Sequence, residues 1–211
     1  MQNVDSYIAR TESAVRKLFE GIEFYIQILD PMRYEIFTTS QSDRVKLLAE
    51  LDAWRKQNAA AISAAKEARR IFFEESFAMS ILCGAVLQIA AKAIEICSAK
   101  DTVTDGLGDI FNNNKKILKY CIGRNVWGVP MGLVIYAGRN QHAHYNDNLN
   151  PINTEIFNRL ASFGLPESKR DPAFDLSNPK LESFASNITA ILNWRSYDNY
   201  EMDLRTMLGK C

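Results

Sequence analysis

The apolar and semi-apolar residues of the first thirty positions recur at alternating steps of four and three. Such spacing places them on one face of a long helix, because an α-helix turns once every 3.6 residues or so. Pro31 ends the predicted helix, since proline cannot continue it. The stripe is formed by Val4, Ile8, Thr11, Val15, Leu18, Ile22, Tyr25 and Leu29.

Residues 31–41 are expected to form a connection, and the segment after them has helical composition, with no glycine or proline before Gly84. Either Ser42 or Asp43 suits its N-cap, because a short polar side chain accepts hydrogen bonds from the first backbone N–H groups. A single helix of that length is uncommon in a compact domain. We therefore expect a bend or a short loop between Asn58 and Phe73.

The most apolar segment of the chain runs from Phe77 to Cys97. Gln88, Lys92 and Glu95 interrupt it, which favours a buried helix of a soluble protein over a membrane span. Its apolar side chains occur on more than one helix face, as expected for the central helix of a bundle. They are Phe77, Ile81, Cys83, Val86, Leu87, Ala90, Ile94 and Cys97.

The next two segments differ in how clearly they predict structure. Asp105 or Asp109 can cap a helix whose apolar stripe ends before Gly123, a residue suited to the C-terminal cap position. After it, Pro130 is able to begin a helix, whereas residues 133–136 would also suit a buried strand. Helix and strand therefore both stay open for this segment.

Asn150-Pro151 marks a break, and residues 164–179 contain three prolines and are expected to form an irregular loop. With three further helices, the chain is predicted to have six to eight. We therefore expect an all-α protein, a helical bundle in a single domain that spans the whole chain. The three further helices are predicted at residues 153–163, 180–194 and 200–208.

Composition argues against several classes of function. Lys+Arg and Asp+Glu both number 25, so the formal charge is zero. That argues against an extended nucleic-acid surface or a polybasic membrane anchor, but not against a small positive cleft. The N-terminus has no apolar signal segment behind a basic start, so we expect a cytoplasmic protein that no membrane holds. The cysteines of the chain form no CxxC pair and are expected to be reduced thiols; they are Cys83, Cys97, Cys121 and Cys211.

Both histidines lie in the stretch GRNQHAHYND, residues 138–147. On a strand, His142 and His144 would face the same side, and Asp147 would add a carboxylate to a metal site. On a helix the two point about 200° apart. A second interpretation is a solvated helix end whose imidazoles bond to the last backbone carbonyls. We expect no metal and no other cofactor.

Arg139, Asn140 and His144 together resemble the signature of the HEPN superfamily. In that signature an arginine is followed by a polar residue, and a histidine stands four to six residues after the arginine. The helical setting is similar too, because HEPN domains are helical bundles whose signature follows a central pair of apolar helices. The resemblance covers about residues 77–160, with N-terminal and C-terminal helices as extensions.

The resemblance implies a metal-independent endoribonuclease that acts as a homodimer in a toxin–antitoxin or defence setting. Histidine has a reference pKa of about 6.5, so the two copies of His144 in a dimer would serve as base and acid. The guanidinium of Arg139 would bind the scissile phosphate. The implied partners are RNA as the substrate, a second copy of the chain, and an antitoxin or another protein.

Helix geometry separates the two signature residues. Five residues turn a helix by about 140°, so Arg139 and His144 would not share a face, whereas Asn140 and His144 would. Arg139 then has to reach round, or the helix has to break or start within the stretch, and Gly138 would permit such a break. Asn140 would orient the imidazole or bind the phosphate, and His142 is a candidate assisting residue.

Tyr145 is a second candidate assisting residue, for stacking or phosphate contact, with core packing as the equal alternative. In a toxin branch of the family, a tyrosine that the antitoxin modifies lies two residues after the histidine. Asn146 has that position here, which argues against such control. The competing function is a non-catalytic HEPN module that binds a nucleotide, RNA or a protein partner, and the neutral net charge favours it. Four basic residues would either line an RNA path or form a solvated helix face: Lys115, Lys116, Lys119 and Arg124.

Overall fold

The computed structural model describes residues 3–28, 36–103, 115–144, 149–179, 181 and 183–209. Within these residues the chain forms eight α-helices and one two-stranded hairpin, which confirms the predicted all-α class and number of helices. The elements are α1 (Val4–Gln27), α2 (Arg44–Gln57), α3 (Ala59–Cys97), α4 (Lys115–Leu118), β1 (Asn125–Val126), β2 (Val129–Pro130), α5 (Met131–Ala143), α6 (Pro151–Ser162), α7 (Ala185–Ile191) and α8 (Tyr197–Leu208).

The chain divides into two compact units. The larger unit contains Met1–Ile22 and Ala78–Cys211, and the smaller unit is Glu23–Phe77. Helices α1 and α3 each contribute one part to each unit.

In the smaller unit, α2 has a side-chain cap but no buried residue. The carboxylate of Asp43 accepts hydrogen bonds from the backbone N–H groups of Val45 at 2.9 Å and Lys46 at 3.4 Å, which confirms Asp43 as the N-cap. Helices α2 and α3 are separated by Asn58 alone, so the predicted break lies at the first residue of its expected range. Local hydrogen bonding therefore sets both ends of α2.

In the larger unit, the second part of α3 is the buried central helix that its apolar pattern predicts. Ile81 differs, since it is 45 % exposed, and Phe77 in the smaller unit is also exposed. The predicted stripe on α1 is buried at its Val and Ile positions, while its other described members are half-buried and Leu29 lies outside the described residues. Phe19 is buried where Leu18 is half-buried, because Phe19 also fits the steps of four and three. The buried residues of α3 include Cys83, Val86, Leu87, Ala90, Ile94 and Cys97.

The segment that the sequence left open between helix and strand forms a short hairpin followed by α5. Trp127 and Gly128 have positive φ angles of 50° and 83°, as in the type I′ turns that connect two strands tightly. Pro130 ends β2 and is the N-cap of α5, so the segment continues as a helix. Gly132 allows close packing there, because a Cβ would lie 2.4 Å from the backbone oxygen of Tyr120.

Two predictions for the segment before β1 have different outcomes. Helix α4 ends at Leu118, so the prediction that Gly123 caps it is wrong. The positive φ of Gly123, 86°, belongs to the loop that leads into β1, where a Cβ would lie 3.1 Å from the Cβ of Met131. The predicted caps Asp105 and Asp109 lie outside the described residues.

The helices predicted after residue 150 are present. The side chain of Asn150 caps α6 by accepting a hydrogen bond from the backbone N–H of Asn153 at 2.9 Å. Helix α7 is shorter than predicted, since it has 7 residues. Residues 164–179 form turns and irregular structure, as predicted. Three cysteines are buried thiols outside any disulfide, and Cys211 lies beyond the described residues; the three are Cys83, Cys97 and Cys121.

Among the described residues, α3 is the one helix that is long and apolar enough to cross a membrane by length and composition. Half of its apolar window is buried inside the protein. Core helices of soluble proteins meet the same criterion, so the length and composition of α3 do not assign it to a membrane.

Candidate functional site

Helix α5 carries the signature-like stretch and runs without a break through Gly138. Gly138 serves packing, since a Cβ there would lie 3.0 Å from the side chain of Ile188 and 3.1 Å from that of Leu87. The helix ends at Ala143, and the backbone N–H of its C-cap residue, His144, donates to the backbone oxygen of Asn140 at 3.0 Å. The helix therefore ends within the stretch rather than breaking at Gly138.

The polar side chains of α5 diverge, because each residue turns the helix by about 100°. Arg139 enters a cleft beside α3. The side chain of Asn140 donates to Oδ1 of Asn153 on α6 at 3.4 Å. Gln141 is buried and accepts a hydrogen bond from the backbone N–H of Phe184 at 2.9 Å. Neighbouring positions of the signature therefore have unrelated partners.

The guanidinium of Arg139 is held by one carboxylate and one hydroxyl group. Its Nη2 donates to Oε1 of Glu95 at 3.1 Å and to the hydroxyl of Tyr120 at 3.4 Å. Its Cζ lies 6.0 Å from the ring centroid of Tyr136. Its Nε is buried and has no hydrogen-bond partner within the part of the chain that the structure describes. The side chain as a whole stays 25 % exposed, so solvent reaches one side of the group.

This cleft has a volume of about 500 Å³ and lies where the end of α3 meets α4 and α5. Within the described part of the chain, four cationic side chains and one carboxylate line it, so positive charge is concentrated among these residues although the chain has a formal charge of zero. The rings of Tyr120 and Tyr136 form part of its wall, with centroids 5.0 Å apart. The cations are Lys92, Lys116, Lys119 and Arg139, and the carboxylate is that of Glu95.

Glu95 connects the cations of the cleft. Its Oε2 accepts a hydrogen bond from Nζ of Lys92 at 3.1 Å, and its Oε1 accepts one from the hydroxyl of Tyr120 at 3.1 Å. Burial by itself raises the pKa of Glu95, but hydrogen bonds from Lys92 and Tyr120 and the charges of Lys92 and Arg139 lower that pKa below its usual value. The carboxylate is therefore ionised at neutral pH.

The basic residues of α4 and the turns after it have different partners. Lys116 and Lys119 line the cleft. The Nζ of Lys119 donates to the backbone oxygen of Glu95 at 2.7 Å, near the C-terminus of α3, where positive charge is favourable. Arg124 instead pairs with Asp203 on α8 at 3.1 Å, away from the cleft. Lys116 and Lys119 therefore share the cleft with Arg139.

His142 lies outside the cleft and packs against the backbone of Gly84 on α3. A Cβ on Gly84 would come within 2.1 Å of the imidazole ring. The Nδ1 of His142 is hydrogen-bonded to Oγ of Ser183 at 3.0 Å. Burial lowers the pKa of His142 below its ordinary value, so the ring is neutral at neutral pH. The side chain is a packed polar group rather than a proton donor that faces the cleft.

His144 is exposed at the end of α5 and does not line the cleft. Within one chain, the described residues bring Arg139 together with Glu95 and not with Asn140 or His144. Tyr145, the second candidate assisting residue, lies outside the described residues.

Four polar or aromatic residues of the cleft are absent from the set that the sequence predicts: Lys92, Glu95, Tyr120 and Tyr136. Lys92 and Glu95 carry a signal, since they lie three residues apart on one helix face and interrupt the most apolar segment. The tyrosines carry no comparable signal, because an aromatic residue at an apolar helix position is usually a core residue.

The two histidines do not form a pair of metal ligands in the described structure. His142 faces Gly84 and Ser183, whereas His144 is exposed at the helix end. Across the described ranges, no group of three or more His, Cys, Asp or Glu side chains is arranged to hold a metal ion. The divergence of the two imidazoles is what helix geometry predicts.

Comparison with known proteins assigns no family. No protein-family model, no curated protein and no solved structure matches the chain. Any function for this protein is therefore inferred from the side-chain chemistry of the cleft, and the HEPN resemblance stays a prediction.

Proposed function

We propose that this protein binds RNA and that the cleft around Arg139 receives phosphate groups of the RNA chain. One observation carries the proposal: among the residues that the structure describes, four cationic side chains and a single carboxylate line one cleft, on a chain of zero formal charge. Phosphate contacts supply most of the affinity of proteins for nucleic acids, and arginine and lysine make most of those contacts. Concentrating the cations in one cleft directs the phosphates there.

The aromatic wall favours single-stranded RNA over a duplex. Tyr136 is half-buried beside Arg139 and faces the cleft. Unpaired bases stack on tyrosine rings and on guanidinium planes, whereas the bases of a duplex are stacked on each other. A nucleotide whose phosphate contacts Arg139 would place its base within reach of Tyr136.

A metal-independent endoribonuclease of HEPN type is the second candidate function. It is favoured by the exposure of His144 at the end of the helix that places Arg139 in the cleft. Because His144 does not line its own chain's cleft, cleavage requires a homodimer in which a second copy supplies the imidazole. Asn140 would contribute after releasing Asn153. A cytoplasmic location, an antitoxin or other protein partner, and the absence of a membrane anchor are parts of the same proposal.

Binding is tested with the full chain and a short fluorescein-labelled single-stranded RNA of mixed sequence. Arg139→Gln should weaken binding at least about tenfold, because a charge-assisted hydrogen bond to phosphate is lost. Arg159→Gln is the matched control, since Arg159 pairs with Glu155 on α6 at 2.9 Å and its loss changes the net charge equally. Equal affinity of both variants and the unchanged protein would contradict RNA binding in the cleft.

Cleavage is tested with the same RNA in EDTA, beside His144→Ala and a sizing experiment. Cleavage that persists in EDTA, disappears in His144→Ala and comes from a dimer supports the endoribonuclease. Binding without cleavage by an intact dimer supports the binding function and contradicts the enzyme. Cleavage that EDTA abolishes and a divalent ion restores would contradict the metal-independent mechanism.

A further inference from the structure

The carboxylate of Glu95 occupies the point where the donors of the cleft converge. Arg139 and Tyr120 both donate to Oε1 at 3.1 Å, and Lys92 donates to Oε2 at 3.1 Å. Two cations and a hydroxyl group directed at one oxyanion are the donor set that binds a phosphate group. A side chain of the protein itself therefore fills an anion-binding position.

The contact between Glu95 and Arg139 uses only part of the guanidinium. One nitrogen, Nη2, makes the ion pair, and Nε has no acceptor among the described residues. A buried donor without a partner is unfavourable and uncommon in folded proteins. A phosphate has more oxygens than a carboxylate and can accept from Nε and Nη2 side by side once the guanidinium turns away from Glu95. The internal ion pair is therefore weaker than the contact that a phosphate can make.

Glu95 is free to move away from the cations. Its side chain is 38 % exposed and lies in the last turn of α3, which ends two residues later at Cys97. A carboxylate with that exposure can exchange its protein partners for water with little loss of free energy. While it stays in place, its negative charge repels an incoming phosphate.

We propose that Lys92, Tyr120 and Arg139 form a phosphate subsite that Glu95 keeps occupied in the unbound protein, and that a phosphate of the bound RNA displaces the carboxylate. The inference rests on the proposed RNA binding and names the groups that regulate it. Competition from Glu95 weakens every ligand that places a phosphate there. An RNA chain overcomes it through its other phosphates in contact with Lys116 and Lys119, whereas inorganic phosphate has no such additional contacts.

Glu95→Gln tests the proposal, because it removes the competing charge and keeps the shape of the side chain. The variant should bind the labelled RNA roughly three- to fivefold more tightly, the size of a partly exposed ion pair. It should also bind inorganic phosphate, measured by displacement of the RNA, more tightly than the unchanged protein does. Glu155→Gln is the matched control, since it changes the net charge equally on α6 and should leave both affinities unchanged.

The outcomes separate this inference from the proposed function. If Glu95→Gln binds RNA more tightly, and this gain in affinity disappears when Arg139→Gln is added to the same protein, displacement of the carboxylate is supported. Weaker binding by Glu95→Gln, or a gain no larger than that of Glu155→Gln, overturns the inference while Arg139→Gln still tests RNA binding. If Arg139→Gln alone has no effect, RNA binding in the cleft itself is wrong. Glu95→Ala is a second variant without the carboxylate, and thermal melting by circular dichroism checks that each variant is folded.

Discussion

Arg139 and His142 lie one turn apart on α5, yet their surroundings are opposite in character. Arg139 projects into a cleft among lysines and tyrosines, where its side chain is partly exposed. His142 packs on bare backbone at Gly84 and shares a hydrogen bond with Ser183. One side chain is a charged group that a ligand can reach, and the other is a neutral group whose burial lowers its pKa. The type of residue in a motif therefore does not fix its chemistry.

Two positions of α3 account for the difference. Glu95 supplies a carboxylate to Arg139 at 3.1 Å, which holds the guanidinium at the cleft surface. Gly84 supplies no side chain, so the imidazole of His142 fills the space that a Cβ would need. The contact at Gly84 therefore belongs to the core, and the contact at Glu95 belongs to the surface of the cleft. Substitutions at the Gly84–His142 contact should therefore change the stability of the protein, whereas substitutions at the Glu95–Arg139 contact should change its affinity for RNA.

The largest expected effect on stability is that of Gly84→Ala. The added methyl group would lie 2.1 Å from the imidazole of His142, so the ring or the helix has to shift. Overpacking of this kind lowers the free energy of unfolding by about 1–3 kcal/mol. Denaturation by urea at neutral pH measures the change, and the affinity of the variant for RNA should be unaltered.

The control for Gly84→Ala is the same substitution in a His142→Ala background. Removing the ring removes the overlap, so the added methyl group should then lower the free energy of unfolding much less. An equal loss in both backgrounds would show that the ring is not the cause.

A smaller effect is expected from acidification. Burial lowers the pKa of His142 below 6.5 in the folded protein, so the unfolded chain takes up a proton at a higher pH than the folded chain does. The contribution of His142 to the free energy of unfolding therefore declines as the pH falls below 6.5, and the decline stops below the pKa of the folded state. Urea denaturation at a series of pH values should show a smaller decline in His142→Gln. An identical decline in that variant would place the titrating group elsewhere.

The smallest effect on stability is expected for Arg139→Gln. The ion pair that it removes is partly exposed, with Glu95 38 % accessible, so water screens it. The free energy of unfolding should fall by less than about 1 kcal/mol, although the same variant should bind RNA much more weakly. If the free energy of unfolding fell more in this variant than in Gly84→Ala, Arg139 would be mainly a structural residue, and the contrast between Arg139 and His142 would be wrong.

Local patterns predict much of the helical framework. The N-cap at Asp43 follows from side-chain hydrogen bonds within a few residues, and the break at Asn58 falls in the range that the usual length of helices predicts. Local sequence does not decide between a helix and a strand for residues 133–136, because an apolar run suits both. The hairpin turn at Trp127 and Gly128, together with packing of α5 against its neighbours, decides it.

The site is predictable only in part for the same physical reason. Sequence spacing identifies Arg139 as a candidate, but its partners Glu95 and Tyr120 lie 44 and 19 residues away. Their positions depend on how α3 and α5 pack, which local rules do not fix.

The sequence by itself determines that this chain is helical and roughly where most of its helices lie. Periodicity and capping act over one or two turns, so they can be read without knowing the fold. The tertiary structure alone decides that Arg139 joins Glu95 in a basic cleft while His142 is packed on Gly84. Those neighbours are set by side-chain volume and close packing between segments distant in the chain, which no local pattern records.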